Sequence, residues 1–178
     1  MIAQVAVRGG TGINFVPPAG WSLIRRDSSG GTITQAIYAR VVPASPPEPA
    51  SYTWGFNAGN DAAAGIADYA NVSGAVPIDA NSGQANPSST SIVAPSLTVP
   101  AADPSDRLLA MFALPNSSTI TVPSGTTARW SFRAAGFGIA VAMSDVQLGS
   151  GGPTANLAAT AGTAAVNLGA QVALLPAS

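Results

Sequence analysis

The side chains that could do chemistry in this chain are seven arginines, seven aspartates, one glutamate (Glu48), and many hydroxyls and amides. Histidine, cysteine and lysine are absent. Two carboxylates are sufficient for glycoside hydrolysis, but most of the aspartates lie beside turn-forming residues, where they turn or cap the backbone. The serines have no histidine or lysine to activate them as nucleophiles. We therefore predict that the protein is not an enzyme and binds no cofactor.

The missing residue types also limit which metals the chain could bind. Tight zinc, iron and copper sites need nitrogen or sulfur ligands that this chain lacks. Calcium prefers oxygen ligands, and two loops carry them: Asn57, Asn60 and Asp61 in one, Asp79 and Asn81 in the other. Neither loop follows the EF-hand pattern, and such residues are common in hairpin loops. We predict no metal site and keep calcium as an alternative.

Composition excludes several classes of partner. The 178 residues suit a single domain, residues 1–178, with a substantial core. Charged residues are 8% of the chain, against about 25% in typical soluble domains. A net charge of −1 offers no basic surface to nucleic acid or membrane, and no apolar run approaches the ~20 residues of a membrane span. Such low charge indicates a surface covered in an assembly, or one rich in Ser, Thr and Asn.

The predicted fold is all-β. Nineteen glycines and fifteen prolines divide the chain into short segments rich in Val, Ile, Thr and aromatic residues. This pattern predicts an antiparallel two-sheet sandwich, jelly-roll-like. The alanine-rich tail is also predicted as strand, because glycines and β-branched residues interrupt it. The predicted strands are 1–8, 21–26, 32–42, 50–57, 62–70, 88–99, 107–114, 126–133, 137–147, 154–160 and 166–175.

An internal repeat organises these strands. Residues 1–7 are similar to residues 108–114, and in each case a polar turn, an arginine-bearing strand and a further strand follow. The pattern predicts a two-fold pseudo-repeat inside one domain, with a first copy at about 1–75 and a second at about 107–178. A chance match between alanine-rich strands is the alternative.

The repeat also predicts where the chain associates. A plausible strand precedes the second copy but none precedes Met1, so residues 1–8 are expected to have an unpaired edge. Residues 108–114 are apolar on both faces and need cover on both. Because an exposed apolar edge strand aggregates, we predict a homo-oligomer with Val5, Val7 and Met111 at the subunit contact.

Aromatic residues raise the question of sugar binding. Trp21, Trp54 and Trp130 could stack on sugar rings, but each lies on the apolar side of its strand and is predicted to pack in the core. Tyr38 and Arg40 alternate with apolar neighbours and are predicted to form an exposed binding pair.

Several segments carry a resemblance to a known family. They are residues 17–27 (PPAGWSLIRRD), 34–38 (TQAIY) and 48–54 (EPASYTW), continued by residues 69–79, 91–95 and 106–112. Together they resemble a β-sandwich domain common in tailed-phage virion proteins and bacterial surface proteins. The likeness covers nearly the whole chain and is weaker after residue 112. It implies a sandwich fold and a structural or adhesive module, and it carries no catalytic motif.

We therefore predict a non-enzymatic structural module of a phage particle, in a tail, fibre or capsid decoration. Its partners would be other virion proteins and further copies of itself, and its location the virion. The alternative is a carbohydrate- or cell-surface-binding module of a bacterial surface protein. That protein would be at the cell surface or secreted, with a host-surface glycan as ligand.

Overall fold

The computed structural model describes residues 1–57, 60–99, 106–134, 136 and 138–177. Within these residues all regular structure is β-strand, and no helix is long and apolar enough to cross a membrane. The strands are β1 (Ile2–Arg8), β2 (Phe15–Val16), β3 (Ser22–Ser29), β4 (Ile33–Ala39), β5 (Gly55–Phe56), β6 (Ala62–Ala67), β7 (Ile78–Ala94), β8 (Thr98–Val99), β9 (Arg107–Leu114), β10 (Ile120–Thr121), β11 (Thr127–Ala134), β12 (Ile139–Gln147), β13 (Gly152–Pro153) and β14 (Leu157–Leu174).

Two main antiparallel sheets pack face to face, which confirms the predicted sandwich. The first sheet has the order β3-β4-β1-β6, and all its strands lie in the first copy of the repeat. The second contains the order β11-β12-β9-β14 from the second copy, with β10 and β7 also paired to β14. Corresponding strands of the two copies therefore take the same places, and each copy forms one layer.

The strands β1 and β9 lie inside their sheets. β1 pairs with β4 on one side and with β6 on the other, so the prediction of an unpaired edge at residues 1–8 was wrong. β9 pairs with β12 and β14 in the same way. Apolar side chains of both sheets fill the space between them, including Ile2, Ile37, Leu109, Met111 and Met143. Their burial supplies the main driving force for the sandwich.

A polar link crosses this apolar layer. Gln4 and Gln35 are fully buried, and Gln4 Nε2 donates to Gln35 Oε1 at 2.7 Å and to the Phe112 carbonyl at 2.9 Å. Trp130 Nε1 donates to Gln4 Oε1 at 3.1 Å. Since an unpaired buried amide is costly, these bonds favour one alignment of the sheets.

The outer face of the second sheet is covered by the chain itself. The long strands β7 and β14 form a ribbon that bends where two register shifts flank Ala165. Its far half lies over β9, where Ile92 and Ala94 pack against Phe112 and Leu114. The predicted need for cover on both faces of residues 108–114 is thus met within one chain.

Two asparagines hold the bend of the ribbon. Asn86 Nδ2 donates to Asn167 Oδ1 at 2.8 Å and to the Val93 carbonyl at 3.0 Å. Asn167 Nδ2 faces the carbonyls of Ser89, Ser91 and Ala165 at 3.1 to 3.4 Å, and so satisfies acceptors near the register shifts.

Loops cover the outer face of the first sheet. Trp21 meets Tyr52 and Trp54 edge-on, with ring centroids 5.2 and 5.1 Å apart. Tyr38 lies 6.0 Å from the Trp54 ring. Residues 50–54 are loop rather than the predicted strand, since only Gly55–Phe56 pairs there.

Candidate functional surfaces

Tyr38 and Arg40, which were predicted to form an exposed binding pair, are not exposed together in the structure. Tyr38 is only 3% exposed and packs in the aromatic cluster on the outer face of the first sheet. Its strand β4 is buried on both faces, because Ile33 and Ile37 face the second sheet while the loops cover the other side. The exposure predicted for Tyr38 from alternation was therefore wrong.

Arg40 is partly buried, and its side chain bonds to the two segments that contain Ala19 and Glu48. Its Nε and Nη2 donate to Glu48 at 2.8 and 2.9 Å, and Nη1 donates to the Ala19 carbonyl at 3.1 Å. The guanidinium also lies 5.8 Å from the centre of the Tyr52 ring. The hydrogen bond from Arg40 lowers the pKa of Glu48. Arg40 holds the proline-rich loop over the sheet.

The side chains predicted at a subunit contact lie inside the domain. Val5 is 2% exposed and Val7 is fully buried, both beneath the aromatic cluster. Met111 is fully buried between the sheets. None of the three can reach a second subunit in this structure, so an assembly surface has to be sought elsewhere.

One carboxylate forms the centre of a charged cluster. The side chain of Asp145 is fully buried. It accepts hydrogen bonds from the Tyr69 hydroxyl at 2.6 Å, from Arg107 Nη1 at 3.0 Å, and from Arg129 Nε and Nη2 at 2.5 and 2.9 Å. Arg107 and Arg129 remain partly exposed and border a cleft of about 280 Å³.

Hydrogen bonds within this cluster stabilise the ionised form of Asp145. Burial alone would raise the pKa of Asp145, but hydrogen bonds from Arg129, Tyr69 and Arg107 outweigh it and hold that pKa below its usual range. Burial and the neighbouring carboxylate raise the pKa of Tyr69. Asp145 is therefore ionised at neutral pH with four donors on its oxygens. It is a structural ion and a poor candidate for a general base.

The first calcium candidate loop uses its oxygens and amides within the protein. The Asn57 amide bonds to the backbone of a neighbouring loop. Asn60 Nδ2 donates to the Arg8 carbonyl at 2.6 Å. Asp61 accepts from the Gly138 backbone at 3.0 Å and lies 3.8 Å from the Arg8 guanidinium. These contacts join loops, and the described residues of this loop show no arrangement aimed at a common ion.

In the second candidate loop, Asn81 Oδ1 accepts a hydrogen bond from Arg25 Nη1 at 2.9 Å. The Oδ2 atom of Asp79 is buried without a hydrogen-bond partner. Across the part of the chain that the structure describes, no three Asp or Glu residues are grouped to hold a metal.

The three tryptophans pack inward to different degrees. Trp21 is buried at 6% exposure, as predicted. Trp54 is half-buried in the same aromatic cluster, and half-buried Trp130 packs between the sheets. The indole nitrogens of Trp21 and Trp54 and the Tyr52 hydroxyl are buried without hydrogen-bond partners.

An exposed apolar patch lies at one end of the sandwich, where β4 and β14 end and β7 begins. This end patch consists of Leu23, Val41, Val42 and Val76, exposed by 56, 52, 42 and 57%. Leu23, Val41 and Val42 line two adjoining clefts of about 290 and 570 Å³, which share Ala39, Val41 and Pro77 on their walls, and Val76 directly precedes Pro77. Sequence alternation missed this patch, because three of its members lie in loops. Contiguous exposed apolar groups mark interaction surfaces.

A second surface lies along one side of the sandwich, bounded by β6 and β11, which we call the open side. Each of these strands pairs with one neighbour, and none of the other described strands occupies its second edge. Gly65 of β6 packs against the Trp130 indole of β11, so closely that a Cβ there would lie 2.6 Å from Cδ2. Ile66 and Phe132 are 40 and 50% exposed on the same two strands.

These features define the molecule as an all-β sandwich with two candidate interaction surfaces. No protein-family model, no curated protein and no solved structure matches the chain.

Proposed function

We propose that this chain is a non-enzymatic structural module of a phage particle, in a tail, fibre or capsid decoration. The observation that carries the proposal is the end patch, with four large apolar side chains between 42 and 57% exposed. Exposing such a patch to water costs free energy, and covering it with another subunit is favourable.

The distribution of charge supports the same proposal. Of the few charged side chains, Arg25 bonds Asp27 at 2.6 Å and Arg40 bonds Glu48 at 2.8 Å. Asp145 binds two further arginines. Charges neutralised inside the domain leave a surface suited to lasting contact, since charged residues are depleted at the centres of protein interfaces.

The phage setting rests on the resemblance to a β-sandwich domain common in tailed-phage virion proteins and bacterial surface proteins, in residues 17–27, 34–38, 48–54, 69–79, 91–95 and 106–112. Under this proposal the partners are other virion proteins and copies of the same chain, and the location is the virion. The carbohydrate-binding alternative has less support, because Trp21 and Tyr38 are buried rather than available to stack on a sugar. A glycan array with the purified chain tests that alternative directly.

The experiment is incorporation into particles. Virions produced from the genome that carries this gene should contain the chain in stoichiometric amount by mass spectrometry. A double variant, Leu23→Asp with Val76→Asp, should fold but incorporate poorly, because it places charge in the end patch. Thr53→Asp, an exposed loop change outside the patch, should incorporate normally.

Absence of the chain from purified virions would refute the phage proposal. Normal incorporation of the double variant would refute the role of the end patch.

A further inference from the structure

The open side has two strand edges that no other described strand pairs with. An unpaired edge presents backbone donors and acceptors to another strand. On the opposite side of the sandwich, Arg25 of β3 lies over Gly83 of β7 and links the two layers. On the open side, the hydrogen bond from Gly138 to Asp61 links the two layers beyond the end of β11, and Phe132, on the inner face of β11, is half exposed.

Contacts at the two ends of β6 fix its direction relative to β11. At its beginning, Asp61 accepts a hydrogen bond from Gly138, near the end of β11, where Ala134 pairs with Ile139. Beyond its other end, Asp68 shares a cleft with Arg129, near the beginning of β11. The two strands therefore run antiparallel to each other across the sandwich.

Rotation by 180° about an axis parallel to the strands and beside the open side exchanges the two layers but keeps strand direction. A second copy placed in this way brings its β6 into the layer of the first copy's β11, and its β11 into the layer of the first copy's β6. Both new pairs would be antiparallel, and both sheets would continue from one copy into the other.

The charges along the two edges are complementary in this arrangement. β11 carries Arg129 and Arg133, whereas Asp61 and Asp68 flank β6. Because the strands are antiparallel, Arg133 of one copy lies towards Asp61 of the other, and Arg129 towards Asp68. The Asp68 side chain is 77% exposed and can face a partner. Opposite charges favour this register over pairings of like edges.

We infer that two copies of this chain form a two-fold symmetric dimer in which β6 of each pairs with β11 of the other. This extends the proposed assembly role by naming a second copy as partner, but its geometry does not depend on the particle. The end patch lies at the strand ends and stays free for other subunits.

The size of the contact sets the expected strength. Six residues of strand span about 20 Å, and two stacked sheets with their side chains present a side about 20 Å thick. The contact is then about 800 Å² in total, below the roughly 1,600 Å² of a standard stable interface. We expect a reversible dimer that dissociates in the micromolar range.

Disulfide crosslinking tests the geometry directly, because the natural chain has no cysteine. Gly65 lies level with Trp130, so antiparallel pairing places Ala64 of one copy beside Ser131 of the other, both exposed. Ala64→Cys and Ser131→Cys, each alone, should not crosslink under oxidation. Mixed together they should form a heterodimer, since facing cross-strand Cβ atoms lie within disulfide reach.

Other crosslinking patterns would overturn the inference. Dimers from Ala64→Cys alone would show β6 paired with β6, and dimers from Ser131→Cys alone would show β11 paired with β11. A mixture that stays uncrosslinked, together with a monomer in sedimentation up to hundreds of micromolar, would rule out the dimer. A monomeric chain that still enters virions would reject the dimer and leave the proposed function intact.

Charge variants provide an independent measurement. Asp68→Arg and Arg133→Glu should each weaken dimerisation roughly tenfold in sedimentation equilibrium. The surface control Thr53→Arg should leave it unchanged. Equal dimerisation of all three variants would contradict the proposed register.

Discussion

Replacing Gly169 by alanine tests the folded-back ribbon on the second sheet. Gly169 lies in β14 and pairs with Phe112, so its α-carbon faces the outer layer formed by the far half of the ribbon. A Cβ added there would lie 2.6 Å from the Val93 carbonyl carbon and 2.7 Å from the Ala94 nitrogen, and closer still to the Val93 oxygen. These atoms are backbone and cannot rotate away.

The expected cost follows from this geometry. Carbon–carbon contacts favour about 3.5–4.0 Å, so the ribbon would have to move outward by about 1 Å along Ile92 and Ala94. Overpacking of this kind costs typically 1–3 kcal/mol. For a domain of this length, each kcal/mol lowers Tm by about 2–4 °C. We therefore expect Gly169→Ala to lower Tm by roughly 2–12 °C, measured by calorimetry and checked by urea unfolding.

Gly12→Ala is the matched control. No atom lies within 4 Å of a Cβ at Gly12, and its φ is not positive. This variant should be neutral or slightly stabilising, because alanine reduces the freedom of the unfolded chain. If Gly169→Ala unfolds at the same temperature as Gly12→Ala, the ribbon does not lie against β14 as described.

Three further outcomes are expected. Asp145→Asn should cost about 3 kcal/mol in urea unfolding, because it removes the buried charge that two arginines bind. The pKa of Asp145 is depressed in the folded state, so its contribution to the free energy of unfolding is complete above about pH 4 and is lost as pH falls through the folded pKa. Asp145→Asn should therefore lack this part of the loss of stability in acid. An unchanged dependence of stability on pH would contradict this role of Asp145. Asn167→Leu should cost about 2–3 kcal/mol and speed amide exchange around the ribbon bend, because the Asn86 amide loses a partner. Slow exchange there would show that Asn86 and Asn167 do not hold the bend. Trp130→Phe should cost about 1–2 kcal/mol by leaving the buried oxygen of Gln4 unpaired, and full stability would show that the link between the sheets is dispensable.

The sandwich and the repeat were predictable because they depend on local patterns. Short apolar segments separated by glycine and proline gave nearly all the main strands, and corresponding strands of the two copies occupy the same places in their sheets. The first half of β7 was missed because residues 78–87 are polar and contain Pro87. That segment becomes a strand through pairing with β14, and proline is tolerated because β14 is the one described strand that pairs with β7.

The predicted contact residues failed for a reason outside local sequence. Alternation assigns Tyr38 to solvent when one face of a strand is exposed, but distant loops cover that face with Trp54 and Trp21. Val5 and Val7 looked available because the partner of β1 could not be identified from the sequence. That partner, β6, lies within the predicted strand 62–70, but it is distant from β1 in the chain, and neighbouring strands of a sheet are more often consecutive in sequence. The end patch and the open side could not be predicted either, because each is formed by segments that are distant in the sequence.

The position of β14 has a consequence for how the chain is made. All of its pairing partners, β7, β9 and β10, precede it in the sequence. On the ribosome the first sheet can assemble early, whereas the second remains without its inner strand and its outer cover until β14 has been synthesised. Phe112 and Leu114 stay uncovered for that time. Late, long-range pairing of this kind slows folding and exposes apolar surface to other nascent chains, so the yield of folded protein depends on how fast the last strand closes the sheet.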